Sequence, residues 1–169
     1  MIVVVGNRDK NPDRSAEIDS ADLVVRVNKL CNLDTGNTGK RTDWVVIRSV
    51  PLYWAFSPRR RHWDAVQKAS KIWLMPWLSN DYHYKQYLTN FEGLPWENIP
   101  ASVAKDYRYM TTTGIAVRMV EVMFPYQQIG LAGGDIGEEW IRTRTTAVHT
   151  EGEARYYNKL IKEGKLIIL

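Results

Sequence analysis

The sequence is poor in cysteine and has no long apolar segment, and both features limit the classes of protein to which it can belong. Cys31 is the only cysteine, so no internal disulfide can form, and we expect a reducing compartment, the cytoplasm. No run of about 20 apolar residues occurs, so no transmembrane helix is predicted. A signal peptide is not expected either, because the first predicted strand starts at residue 2 and Asn7 and Arg8 interrupt the apolar run.

The excess of positive charge is small, with a formal net charge of +4. It suits an anionic ligand or peripheral contact with an anionic membrane surface. No nucleic-acid-binding motif accompanies the charge, so nucleic acid is not an expected partner. The 169 residues predict a single domain over 1–169, long enough to bury roughly 70% of its unfolded surface.

Two short β-branched runs near the start predict strands that end at asparagines. Ile2–Val5 stops at Gly6 and Asn7, and the run at residues 23–25 leads to Asn28. Continuous apolar runs of this kind are typical of parallel strands buried on both faces. Because ligands bind beyond the carboxyl ends of such strands, two amides there predict a phosphate or sugar site. Taken alone, Gly6 and Asn7 are also consistent with a simple tight turn.

The rest of the chain alternates predicted strands and helices. Further strands are predicted at 43–48, 71–75, 128–132 and 166–169. A short helical turn is predicted at 15–19, and helices are predicted at 59–70, 80–91, 114–124 and 151–163. Residues 32–42 and 93–100 are rich in turn formers and are predicted to be loops. This alternation predicts the α/β class, a three-layer α/β/α Rossmann-like sandwich with a mainly parallel sheet.

Three consecutive threonines stand where a loop enters the helix predicted at 114–124. Thr111, Thr112 and Thr113 are followed by Gly114. Backbone N–H groups and the helix dipole at such a terminus favour an anion, and the hydroxyl groups add donors. Taken alone, the same residues are more simply explained as a helix N-cap.

Three histidines are candidates for acid–base chemistry. His62 follows three arginines, which is typical of a solvated helix face, although this basic cluster also suits an anionic acceptor or membrane lipid. His83 stands between two tyrosines, where packing is the simpler explanation. His149 precedes the last predicted helix, with Glu153 four residues later, and a neutral imidazole is a suitable base near pH 7. Alone, it is better explained as a surface or helix-entry histidine.

The order of these signals resembles that of the sialyltransferases. The stretch VVGNRDKNPDRSAEIDSADLVVRVNK, residues 4–29, resembles their long N-terminal sialylmotif. Residues 109–134, YMTTTGIAVRMVEVMFPYQQIGLAGG, are similar to their short motif. Residues 149–169 are similar to their terminal motif of a histidine and a following glutamate, with one residue fewer between His149 and Glu153. Residues 50–108 match nothing in the family.

The resemblance implies a GT-A-variant-like fold and a role for each matching residue. His149 would be the general base that takes the proton of the acceptor hydroxyl. Supporting residues would be Gly6, Ser49 and Glu153. The residues implied to hold the phosphate, ribose, sugar carboxylate or nucleoside of the donor are Asn7, Asn28, Thr112, Thr113, Gly114, Gly134 and Asp135.

The implied activity is that of a metal-independent, inverting glycosyltransferase. It would move sialic acid, or a related acidic sugar, from a CMP-sugar donor to a glycan or glycolipid hydroxyl, with no cofactor. Consistent with this, no Asp-x-Asp pair ends a predicted strand, as is usual in metal-dependent sugar-nucleotide transferases. Two alternatives stay open: a CMP-Kdo transferase of lipopolysaccharide or capsule synthesis, and a catalytically inactive nucleotide-sugar-binding protein.

The chain also lacks features that animal sialyltransferases carry. They have a membrane anchor, a stem, a disulfide joining the long and short motifs, and a His/Tyr-containing motif before the terminal one. The resemblance therefore implies a bacterial or viral cytoplasmic member. Acceptor, linkage and oligomeric state are not predicted.

Overall fold

The computed structural model describes seven strands and several helices. It describes residues 1–7, 13–28, 30, 33, 36–47, 62–76, 88–106, 110–133 and 147–169, with only the backbone for 147–151. The strands are β1 (Ile2–Val5), β2 (Leu23–Val27), β3 (Trp44–Ile47), β4 (Lys71–Leu74), β5 (Trp96–Asn98), β6 (Ile129–Ala132) and β7 (Leu166–Ile168). The helices are α1 (Ser15–Asp19), α2 (Trp63–Lys68), α3 (Ala101–Ala104), α4 (Thr112–Met123) and α5 (Ala147–Lys162).

The seven strands form one sheet in the order β5-β4-β3-β2-β1-β6-β7, and each of its pairings is parallel. After β1 the chain adds β2 to β5 on one side, then returns to add β6 and β7 on the other. This is the doubly wound pattern, whose binding crevice lies where the strand order reverses. Here that point lies at the carboxyl ends of β1 and β6. The prediction of a mainly parallel α/β sheet is confirmed.

Strand β1 is buried on both faces, as its continuous apolar run predicts. Ile2 and Val4 belong to the larger hydrophobic core, to which α4 contributes most of its buried side chains. Val3 and Val5 belong to a smaller core that includes Ile18 of α1. Because helices cover both faces of the central strand, the sheet is the middle layer of the predicted α/β/α sandwich.

The structure differs from the predicted elements in the middle of the chain. The predicted loop at 93–100 contains Trp96–Asn98, the edge strand β5, which has only three residues and is half-exposed or exposed throughout. Such a strand shows neither an apolar run nor a clear alternation, so the pattern did not reveal it. The helix predicted at 80–91 lies mostly outside the described residues: Leu88 is helical, and a 3₁₀ turn, Thr89–Phe91, follows it. Helix α3, Ala101–Ala104, was not predicted.

The boundaries of three other helices also differ. Helix α4, Thr112–Met123, begins two residues before the predicted 114–124 and ends one residue earlier. Helix α2 occupies Trp63–Lys68, so it is shorter than the predicted 59–70 in the part that is described. Helix α5 begins at Ala147, four residues before the predicted start at Glu151. No helix within the described segments is long and apolar enough to cross a membrane.

A buried arginine attaches the loop after β2 to the sheet. Arg26 is only 1% exposed, and its guanidinium donates to the carbonyl oxygens of Thr38 (2.6 Å), Gly39 (2.9 Å) and Arg41 (2.9 Å). Burial lowers the pKa of Arg26 to about 10, so the side chain stays ionised at neutral pH. The same loop is held from α1, because the Arg41 N–H donates to Asp19 Oδ1 at 2.9 Å. The sequence pattern did not identify Arg26 as structurally important.

We expect Arg26→Ala to destabilise the fold strongly, because three carbonyl oxygens lose their donor. The free energy of unfolding should fall by about 3 kcal/mol or more, measured by urea unfolding. The control is Arg14→Ala, which removes an exposed arginine paired with Glu17 at 3.1 Å and should cost less than about 0.5 kcal/mol. Equal losses in the two variants would contradict this role for Arg26.

Candidate functional site

The two predicted asparagines lie at the same edge of the sheet. In the β1–β2 register Val5 pairs with Arg26, so continuing the register by two residues aligns Asn7 with Asn28. The Asn28 N–H donates to the Val46 carbonyl at 2.9 Å, which extends the β2–β3 ladder to the asparagine. Because parallel strands send their carboxyl ends to one edge of the sheet, Asn7 and Asn28 both follow strands that end at that edge.

The β1–β6 ladder also continues past the strand ends. The Gly6 N–H donates to the Ala132 carbonyl at 2.8 Å, which keeps the two strands together at the point where the sheet order reverses. The backbone of Gly6 thus extends the β1–β6 ladder by one residue. Gly134 and Asp135, implied for the nucleoside, lie outside the described residues, and so does Ser49.

Asn28 connects the end of β2 to the first turn of α4. Its φ of 49° is in the left-handed region, which asparagine tolerates better than most residues. From this conformation Asn28 Nδ2 donates to Thr112 Oγ1 at 2.7 Å. Thr112 is 6% exposed, so the contact is largely shielded from water. The structure therefore joins two residues that the sequence resemblance implied for one ligand.

The threonines before α4 combine a helix cap with unused donors. Thr111 is the N-cap residue, and its Oγ1 accepts from the Gly114 N–H at 3.3 Å. The explanation of this stretch as an N-cap is therefore correct for Thr111. The backbone N–H groups of Thr112 and Thr113 have no acceptor within the helix, and in the described part of the chain they stand at the positive end of the helix dipole. Such a terminus is suited to a phosphate or a carboxylate.

A buried carboxylate from α5 contacts the same terminus. Glu153 is 3% exposed, and its Oε2 accepts from the Thr111 N–H at 2.7 Å. Its Oε1 accepts from Thr111 Oγ1 at 2.8 Å and from the Tyr157 hydroxyl at 2.6 Å. Burial and the neighbouring Glu153 raise the pKa of Tyr157 well above its ordinary value, so this hydroxyl stays a donor at neutral pH. Sequence reasoning gave Glu153 only a supporting role and missed Thr111 and Tyr157 as its partners.

Gly114 permits the close approach of α5 to α4. A Cβ atom at this position would lie 2.9 Å from Glu153 Cδ and 3.1 Å from Met110 Cβ. Real Cβ atoms essentially never come as close as the first distance, so a side chain here would push Glu153 away. Gly114 is therefore needed for packing beside the site, whether or not it contacts a ligand.

The backbone of His149 belongs to α5, four residues before Glu153, which is about 6 Å along a helix axis. Its side chain lies outside the described residues, so its role as a base stays a prediction. Among the side chains that the structure describes, no group of three or more His, Cys, Asp or Glu could hold a metal ion.

Solved sialyltransferases have a similar structure over almost the whole chain. A mammalian sialyltransferase matches with a TM-score of 0.69 and 17% identity, covering 99% of this chain and 68% of that one. A mammalian sialyltransferase structure in complex with Gal-β-1-3GalNAc-ortho-nitrophenol matches with a TM-score of 0.68, at the same identity and coverage. This chain has the fold of the sialyltransferases.

A bacterial structure shares the sialyltransferase fold more distantly. CstII from Campylobacter jejuni, in complex with the substrate analogue CMP-3FNeuAc, matches with a TM-score of 0.59 and 13% identity. The match covers 99% of this chain and 78% of that one. No family model and no curated protein matches the sequence. The resemblance stated from the motifs is confirmed at the level of the fold, and the structural neighbours are glycosyltransferases.

Gly114→Ala tests the packing of α4 against α5. Helix propensity alone would stabilise this variant by about 1 kcal/mol, because alanine replaces glycine inside a helix. We expect the opposite sign, a loss of about 1–3 kcal/mol in unfolding free energy by urea denaturation, because the new methyl group meets Glu153.

The control for this variant is the same substitution in a Glu153→Ala background. With the obstructing carboxyl removed, Gly114→Ala should lose part of its penalty, and the contact with Met110 Cβ should account for the rest. A penalty that is unchanged in that background would contradict the contact.

Proposed function

We propose that this protein is a glycosyltransferase that moves sialic acid, or a related acidic sugar, from a CMP-sugar donor to a glycan or glycolipid hydroxyl. The observation that carries the proposal is the Asn28–Thr112 hydrogen bond at the N-terminus of α4. It brings a strand-end amide and a helix-terminus hydroxyl together in the crevice of a sheet with the sialyltransferase fold. The single cysteine suggests a cytoplasmic location.

The terminus of α4 is suited to the anionic part of such a donor. The N–H groups of Thr112 and Thr113 and the helix dipole favour the phosphate and the sugar carboxylate. Because Asn28 donates to Thr112 Oγ1, that bond does not use the hydroxyl hydrogen of Thr112, which is proposed to bind the anion. Asn7 follows β1, next to the strand that Asn28 follows, and is proposed to contact the phosphate or the ribose. Gly134 and Asp135 follow β6 and are proposed to lie near the nucleoside.

The proposed reaction is a single displacement with one base. The acceptor oxygen attacks the anomeric carbon while the bond from that carbon to the phosphate oxygen breaks, and CMP leaves with the bonding electrons. His149 takes the proton of the acceptor hydroxyl. The donors of α4 stabilise the charge on the leaving phosphate, so the reaction as proposed uses no metal and no cofactor. Attack opposite the leaving group inverts the anomeric centre.

Nucleotide selectivity is the most direct test of this proposal. We expect calorimetric titration to give CMP at least about tenfold tighter binding than UDP or GDP, a difference of about 1.4 kcal/mol. Equal affinities would contradict the proposal. Release of CMP from CMP-sialic acid and from CMP-Kdo, measured in parallel, then identifies the donor sugar. CMP binding without transfer from either donor would favour an inactive nucleotide-sugar-binding protein.

The role of His149 predicts a loss of turnover without a loss of binding. In His149→Asn, sugar transfer should fall by about 10²- to 10⁴-fold, because general-base catalysis contributes about that much. CMP affinity should be unchanged in the same titration. The control is His62→Asn, since His62 has a φ of 68° that asparagine tolerates and lies before α2. Normal turnover in His149→Asn would exclude it as the base.

A further inference from the structure

The cap of α4 is divided between two helices. In a capping box the N-cap Ser or Thr bonds the N–H of the third helical residue, and a Glu or Gln there bonds the N-cap N–H. In this protein Thr111 makes the first bond, to Gly114, but glycine cannot make the second. Glu153 of α5 accepts the Thr111 N–H instead, at 2.7 Å. The carboxylate of the box thus comes from a different helix.

The position of Glu153 is not that of a ligand for an anionic donor. It accepts from the N–H and the hydroxyl of Thr111, immediately before the N–H groups of Thr112 and Thr113. A carboxylate so close to the proposed phosphate site disfavours an anion electrostatically. Its burial, its three hydrogen bonds and the space left by Gly114 therefore need another explanation.

We propose that Glu153 is a positioning residue that fixes α5, and His149 with it, against the donor-binding terminus of α4. This inference rests on the proposed function. The bonds of Glu153 to Thr111 hold the turn that is proposed to bind the donor. Because Glu153 belongs to α5, they also set the position of His149, four residues earlier in that helix. A displacement of about 1 Å between reacting groups can reduce a rate by about 100-fold. Glu153 therefore keeps the donor site and the base in position at the N-terminal end of α4.

A second contact between the same helices provides a matched control. The Tyr156 hydroxyl of α5 donates to Glu121 Oε2 of α4 at 2.7 Å. Glu121 lies near the C-terminal end of α4, away from the threonines. Tyr156→Phe therefore removes a hydrogen bond to a carboxylate between these two helices without touching the proposed donor site.

The experiment compares Glu153→Ala, Glu153→Gln and Tyr156→Phe for unfolding midpoint, CMP affinity and the kcat and KM of sugar transfer. We expect kcat to fall by about 100-fold in Glu153→Ala. Glu153→Gln should recover part of it, because the amide oxygen still accepts the Thr111 N–H. CMP affinity in Glu153→Gln should stay within about threefold of the wild type or improve, since a negative charge is removed. Tyr156→Phe should lower the unfolding midpoint and leave kcat unchanged.

The outcomes separate the two proposals. If the wild type binds CMP but transfers no sugar, the proposed function is overturned. If the wild type is active and Glu153→Ala loses no more kcat than Tyr156→Phe, the positioning role alone is overturned. If kcat and CMP affinity fall in parallel in both Glu153 variants, the residue only supports the fold, and the positioning role is again overturned. If Glu153→Ala does not fold, Glu153→Asp replaces it, because the shorter side chain moves the carboxylate away from the Thr111 N–H. A kcat no lower than that of Tyr156→Phe would then overturn the positioning role.

Discussion

The parallel pairing of β1 with both β2 and β6 is the constraint on which the candidate site depends. Because the three strands run in one direction, their carboxyl ends meet at one edge of the sheet. Helix α4 packs on these strands, and Asn28 Nδ2 bonds Thr112 in its first turn. One pairing scheme thus determines where the asparagines, the terminus of α4 and the reversal of strand order lie. The short apolar runs favour this scheme because they are buried on both faces of the sheet.

Much of the fold could be predicted because its central strands carry a strong local signal. Ile2–Val5 and Ile129–Ala132 are continuous apolar runs, buried at every position. The edge strand Trp96–Asn98 carries no such signal, because one side of an edge strand lacks a neighbour and its residues need not be apolar. Helix boundaries are also poorly marked in the sequence. Helix α5 begins at Ala147, four residues before the predicted start at Glu151.

The candidate site was predictable in its residue types and less so in its contacts. Asparagines at strand ends and threonines before a helix are local patterns, but no local pattern implied the bond from Asn28 to Thr112, which joins residues 84 positions apart. The partners of Glu153 and Arg26 could not be predicted in the same way. Each depends on segments far apart in the sequence, and a charged residue is usually a solvated one until the fold buries it.

The division of the α4 cap between two helices has a consequence for the order in which this protein folds. Thr111 and Glu153 are 42 residues apart in sequence. While the chain is being synthesised, α4 and β6 emerge before the carboxylate that completes the cap. The first turn of α4 then has a hydroxyl for one of its N–H groups but no acceptor from α5. The Thr111 N–H therefore gains its acceptor only when α5 has been synthesised and has packed against α4, so the cap is completed by a contact distant in sequence.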